Sequence, residues 1–431
     1  MRVIAAAALA LLLPVESAAS TPEIKDMELV AHHDLQARSA YQPTIHRQGT
    51  RWIAYIGHHG GSARNPLTGR EEASGTSILD VTDVRSPKLI AHIPGEPGGG
   101  AQMARVCDRA AKTYLLRTYG NSAHEAWDVT DPAKPSRVAQ VSKGLRGTHK
   151  SWWECDTGIA YLVSGVAGWR TGRMTEVYDL TDPARPRHIR NFGLPGHQPG
   201  AAGPVPTELH GMISMGPRAN RIYFGYGTSR SGILQIVDRE KLLKGAAEPV
   251  EANLLHPQVA RLDLPATMGA HTAFPLLGMA TGDYVAIVNE SLADRCREPR
   301  QKVWFADVTD ESRPALVSSW TVPEGDFCSR GGRFGAHSSN ENMTPIYYKR
   351  VLFIAFFNAG VRALDVRDPR EPREIAYFIP AKTKHTAGEA IQTNNVEVDD
   401  RGYVYIVDRA NTGMHILQLT GEARKAADFR R

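Results

Sequence analysis

A strand ending in Asp, then a Thr-Asp or Asp-Pro turn, then a second strand recurs down the chain and constrains its fold more than any other feature. The copies are SILDVTDVRSPKLIAHIPG, EAWDVTDPAKPSRVAQV, EVYDLTDPARPRHIRNF, VWFADVTDESRPALVSSW and VRALDVRDPREPREIAYF, beginning at Ser77, Glu125, Glu176, Val303 and Val361. A weaker copy, ILQIVDREKLLKG, starts at Ile233, and a last one, MHILQLTG, at Met414, which makes seven. The strand-ending aspartates Asp80, Asp128, Asp179, Asp238, Asp307 and Asp365 lie 48, 51, 59, 69 and 58 residues apart, near the length of a four-stranded propeller blade.

Upstream of each copy a further strand runs into Gly or Asn, as in WIAYIGHHG, TYLLRTYGN, IAYLVSGVAG, RIYFGYGTS, YVAIVNES, LFIAFFNAG and YVYIVDRAN. Each unit therefore supplies a second, third and fourth strand, preceded by a less regular first one. The pattern predicts an all-β chain folded as a seven-bladed β-propeller with four-stranded blades. Asp in such turns bonds its own backbone and Pro presets the turn dihedral, a structural role that outweighs calcium binding here.

The last unit stops at its third strand near Leu419, while MELVAHHDL from Met27 matches the fourth-strand segment PKLIAHIPG at Pro87. The N-terminal strand is thus expected to complete the last blade and close the ring without an open edge. This places one propeller over residues 27–420 and a charged tail over 421–431.

Residues 1–19 read as a signal peptide: Arg2 gives the charge, Val3 to Leu13 the apolar run, and Ser17 and Ala19 small residues for cleavage. That run is shorter than the roughly 20 residues needed to span a bilayer, and no cysteine follows it to carry a lipid. Val351 to Val361 is also too short and reads as a buried strand. The expected protein has no membrane span and is periplasmic or secreted. Four cysteines in an exported chain predict two disulfides, Cys107 to Cys155 and Cys296 to Cys328. A net charge of +5 with Lys and Arg scattered among acids argues against nucleic acid.

The strings LQIVD and YVYIVD, with the DVTDP turns, resemble the LVIVD-repeat family of bacterial exported β-propellers over nearly the whole mature chain. That resemblance implies the fold and little about function. A broader similarity of architecture and channel histidines, to propeller metalloenzymes such as carotenoid cleavage oxygenases, transfers no catalytic residue.

The first strand of a propeller blade lines the central channel, and histidine recurs there. The segments GTHKSWWE, ELHGMISM, GAHTAFPL and GAHSSNEN place His149, His210, His271 and His337 in four successive blades. The other blades carry Gln42, Gln102 and Asn394 near that level. Four neutral imidazoles converging on one axis suit one transition metal ion, with iron or copper ahead of zinc. Glu154, Glu208 and Glu341 are the nearby carboxylates that could orient the ligands, Glu341 for His337. His58, His59, His124, Trp169, Arg170, Arg330 and Arg333 are the loop residues expected to rim the channel mouth and meet a small-molecule ligand.

This leads to a metal-dependent oxidoreductase of unspecified substrate. The alternative is a non-catalytic propeller scaffold that binds a ligand or a protein partner, and a third reading is a metal-dependent lactonase or other hydrolase. The lactonase reading wants Asp, Glu and Asn at the axis, where this chain has His. No G-x-S-x-G elbow supports a serine hydrolase.

Overall fold

The computed structural model describes residues 21–427; the predicted leader at 1–19 and residues 428–431 of the tail lie outside the described residues. The described chain is a succession of four-stranded antiparallel meanders. Five stand as separate sheets, the first built from Ala40–Gln48, Arg51–His58, Thr76–Asp80 and Lys88–Ile93. The next are Ala104–Arg109 with Lys112–Tyr119, Ala123–Asp128 and Ser136–Lys143, and Ser151–Trp153 with Ile159–Ser164, Met174–Asp179 and Arg187–Phe192. Two more join Leu209–Ser214 to Arg221–Tyr226, Ile233–Asp238 and Gln258–Asp263, and Thr272–Met279 to Gly282–Val288, Val303–Asp307 and Ala315–Trp320.

The remaining two meanders merge through a single Phe357–Thr393 pairing. One comprises Phe334–Ser339, Val351–Phe357, Val361–Asp365 and Arg373–Ile379; the other comprises Thr393–Val398, Tyr403–Asp408 and Met414–Leu419. The N-terminal strand Met27–His33 completes the latter, with Met27 opposite Leu419 and His33 opposite Met414. First strands of successive meanders lie against one another, and Thr393–Val398 lies against Ala40–Gln48. This arrangement is consistent with a β-propeller.

Burial follows position in each sheet. The second strand Val351–Phe357 is buried at every residue, whereas in the fourth strand Lys88–Ile93 only Ala91 and Ile93 are buried. Inner strands face apolar neighbours on both sides and read as continuous hydrophobic runs, and outer strands are partly exposed, as expected of a half-solvated surface.

The repeated aspartates hold the turns by a common device. The backbone N–H two residues on donates to the carboxylate of Asp80 at 2.9 Å, Asp128 at 3.0 Å, Asp179 at 2.8 Å, Asp307 at 2.9 Å and Asp365 at 3.1 Å. Asp238 departs from the pattern. Its carboxylate caps the short helix Arg239–Lys244 by accepting from the Lys241 N–H at 2.9 Å, and this helix with Glu251–Leu255 fills the longest interval between repeats.

Further elements also lie outside the sequence expectation. Glu23–Lys25 adds a fifth strand beside Arg373–Ile379, a hairpin of Ser62–Arg64 and Glu71–Ala73 projects from the first meander, and the charged tail starts as a helix, Gly421–Ala426, whose Ala423 is buried. Cys107 and Cys155 form one disulfide, with Cα atoms 5.1 Å apart, and Cys296 and Cys328 form the other, at 5.5 Å. Two disulfides are the pattern of a protein kept outside the reducing cytoplasm. Among the described residues no helix is long and apolar enough to cross a membrane.

Candidate metal centre

His149, His210, His271 and His337 come together, each less than a tenth exposed. They reach the centre because the first strands break their ladders there. Register shifts fall between Leu209 and Gly211 and between Phe334 and Ser338, so His210 and His337 sit in irregular stretches that re-aim a side chain. Gly211 makes room as well: a Cβ at that position would stand 2.6 Å from the Lys150 side chain.

The ring nitrogens divide cleanly between two jobs. His210 Nδ1–H donates to the His271 carbonyl at 3.1 Å, His337 Nδ1–H donates to the Asn394 carbonyl, and His149 Nδ1 faces the Gln102 amide oxygen at 3.0 Å. Those acceptors fix the tautomers and leave the Nε2 lone pairs directed inward. His149 Nε2 and His210 Nε2 stand 3.0 Å apart, and His271 Nε2 is buried with no hydrogen-bond partner among the described residues. Burial holds all four imidazoles well below their ordinary pKa, so they are neutral donors at neutral pH.

Glu290 completes the cluster and was missed by sequence reasoning. Its carboxylate lies 3.6 Å from His210 Nε2, 4.0 Å from His271 Nε2 and 3.6 Å from His337 Nε2. Burial raises its pKa, and the Arg333 guanidinium 3.3 Å away opposes that rise. Two triads, His149 with His210 and His271, and His271 with Glu290 and His337, could each hold a metal ion. A signal for Glu290 does exist. Counting from the residue paired with the end of each third strand, Glu290 occupies the same position as His59 and Arg409, while Gly120, Gly165, Gly227 and Phe357 occupy it in the other repeats.

A cavity of about 360 Å³ opens over this floor, lined by Tyr41, His59, His149, His210, Glu290 and three arginines, Arg173, Arg333 and Arg409, among others. Tyr41, not Gln42, faces the centre: its hydroxyl lies 3.1 Å from His149 Nε2, while Gln42 bonds Pro43 and Asn395.

The predicted carboxylate partners are held elsewhere. Glu154 accepts from Arg239, Ser214, Tyr161 and Thr157, so its lone pairs are consumed in a buried structural knot. Glu341 is bound by Lys150 and Arg105 rather than by His337; burial would raise its pKa, but these two cations hold it at about 2. Glu208 is exposed and lines the cavity.

Of the rim residues, His59 and Arg333 line the cavity. His58 is buried against Ser77 and His124 against Ser164, Trp169 packs in an apolar cluster with Met174, and Arg170 donates to the carbonyls of Gly196, Ala202 and Gly203. Arg330 pairs with Glu23 and Asp326 beside a separate surface pocket. Each points away because a nearer acceptor or an apolar wall claims it.

The fold and the histidine cluster define a β-propeller-type protein whose core could hold a metal ion. No family model and no curated protein matches the chain. Among solved structures, Sqt1 from Chaetomium thermophilum is similar with a TM-score of 0.54 at 10% identity, over 91% of this chain and 99% of that one. Hydrazine Synthase of Kuenenia stuttgartiensis gives 0.51 at 12% identity, over 88% and 95%. Chaetomium thermophilum Raptor gives 0.51 at 10% identity over 90% of this chain, which spans 30% of the Raptor chain. At these identities the likeness concerns the fold alone.

Proposed function

We propose that the chain is an exported, periplasmic or secreted, seven-bladed β-propeller of the LVIVD-repeat kind. In this reading the N-terminal strand closes its ring, and one transition metal on His149, His210, His271 and His337 serves as the centre of an oxidoreductase. The observation that carries this reading is the grouping of ligand atoms from His149, His210 and His271 within 4.8 Å of one another, with His337 brought in by a second group that it forms with His271 and Glu290. His149 Nε2 and His210 Nε2 face each other at 3.0 Å with their Nδ1 atoms committed outward. Two lone pairs so placed repel, and their 3.0 Å spacing suits bonds of about 2.0–2.1 Å from these two nitrogens to one ion.

Neutral imidazoles leave the ion its full charge, and Glu290 supplies one anionic group that favours iron or copper in a higher oxidation state. The cavity leaves His149 and His210 accessible from one side, so a small molecule can approach the centre.

Untagged mature protein is expected to contain about one iron or copper per chain by elemental analysis, and the His210→Ala, His271→Ala double variant close to none, with its disulfides and circular dichroism unchanged. Stoichiometric metal in neither protein, even after reconstitution, would leave a binding scaffold as the better account.

A further inference from the structure

The cavity arginines contribute nothing to holding a cation and would repel one. Arg173, Arg333 and Arg409 converge there against two carboxylates, Glu208 and Glu290. Among the described residues only Arg333 of the three is ion-paired within the site, at 3.3 Å from Glu290. Arg173 donates its Nε to the Gly147 carbonyl at 3.2 Å. The Arg409 guanidinium lies 5.9 Å from the Phe357 ring centroid and has no hydrogen-bond acceptor among the described residues.

The backbone at Arg409 is nonetheless firmly held. Its N–H donates to the Gln392 carbonyl at 3.0 Å, its own carbonyl accepts from Ser39 Oγ at 2.7 Å, and the preceding Asp408 carboxylate accepts from the Ala410 and Gln392 N–H groups at 2.7 and 2.6 Å. A guanidinium without an acceptor, carried on a fixed stretch of backbone and lining the same cavity as two others, suits an oxyanion.

His59 adds the second half of the recognition. Ser39 has one hydroxyl proton, and the Arg409 carbonyl takes it, so Ser39 Oγ must accept from His59 Nδ1–H at 3.0 Å. His59 Nε2 therefore carries a lone pair and can accept a hydrogen bond from whatever occupies the cavity that His59 lines.

We propose that the cavity binds a small oxyanion bearing a hydroxyl group, its charged oxygens received by Arg173, Arg333 and Arg409 and its O–H donated to His59 Nε2. The inference rests on the reading of this cavity as the substrate site. An α-hydroxy carboxylate and a hydrogen phosphate share this chemistry, and a metal on the histidines would strengthen the attraction without being needed for it.

The test is calorimetric titration of the full mature protein at pH 7 with glycolate, acetate and inorganic phosphate, after chelation and again after zinc loading. Saturable binding of glycolate or phosphate is expected in both metal states, and whichever binds more tightly identifies the anion class. Glycolate should bind several-fold more tightly than acetate, a gap that His59→Phe should erase, and Arg409→Gln should weaken binding about tenfold or more. Should Arg409→Gln fail to fold, Arg173→Gln and the glycolate to acetate ratio of the wild type decide the matter. No saturable binding in either metal state, or affinity unchanged in an Arg409→Gln protein that melts like the wild type, overturns the proposal. Because the chelated protein is titrated separately, that failure is distinct from a failure to find metal.

Discussion

Glu154→Ala is expected to destabilise the protein by about 3–5 kcal/mol, the cost of leaving a buried cation without its partner. Glu154 and Arg239 are 5% and 8% exposed. The carboxylate accepts from Arg239 Nη2 at 2.6 Å and Nε at 2.8 Å, from Ser214 Oγ at 2.5 Å and from the Tyr161 hydroxyl at 2.9 Å. Truncation strands a buried guanidinium and deprives the Ser214, Tyr161 and Thr157 hydroxyls of their acceptor. Urea unfolding followed by circular dichroism measures the effect, and Glu154→Gln should recover part of it by keeping the acceptor oxygen. Metal content should not change, because Glu154 touches none of the four histidines. A loss of metal without a loss of stability would restore the orienting role that the sequence alone suggested for Glu154.

The stability of the metal-free protein should pass through a maximum near pH 6–7 and fall on both sides. Burial holds His58 well below its ordinary value of 6.5, His124 at about 4 and His415 at about 3. The unfolded chain takes up these protons as pH drops below 6.5 and the folded chain does not. Each such group therefore removes up to about 1.4 kcal/mol per pH unit, or about 4 kcal/mol per unit for the three, down to about pH 4. The four central histidines act in the same direction. Glu397 acts in the opposite one. Burial, with the charge of Glu341 adding to it, raises Glu397 to about 8, so its contribution is lost as pH rises from 4.5 through 8. Denaturation midpoints across pH 4–9 test this, and a flat profile from 4 to 6.5 would contradict it.

The repeat was legible because its chemistry is local. An Asp that accepts a hydrogen bond from two residues on makes the same turn wherever the string DVTD, DLTD or DVRD occurs, and five of the six strand-ending aspartates do so. Asp238 fails the pattern for a readable reason, since the residues after it form a helix that takes its carboxylate as a cap.

The histidines were legible because one residue type recurs at one blade position. Their partners were not. The step from His337 to Glu341 assumed a regular strand, and the ladder shifts register between Phe334 and Ser338, which breaks the alternation on which the inference rested. Lys150 and Arg105 then capture Glu341, a long-range pairing that adjacency in sequence does not reveal. Glu290 escaped notice because its position carries His, Arg, Glu, Phe or Gly in different repeats, so it reads as variable loop until the strands are aligned by their pairing.

The most direct test of the account is X-ray absorption at the metal edge of the purified, metal-loaded protein. The expected spectrum fits about four nitrogen or oxygen neighbours near 2.0–2.1 Å with the outer-shell scattering of several imidazoles, and loses the imidazole signature in the His210→Ala, His271→Ala variant. A first shell dominated by water or carboxylate oxygen without imidazole scattering, or one indifferent to that variant, would place the metal elsewhere and contradict the four-histidine centre.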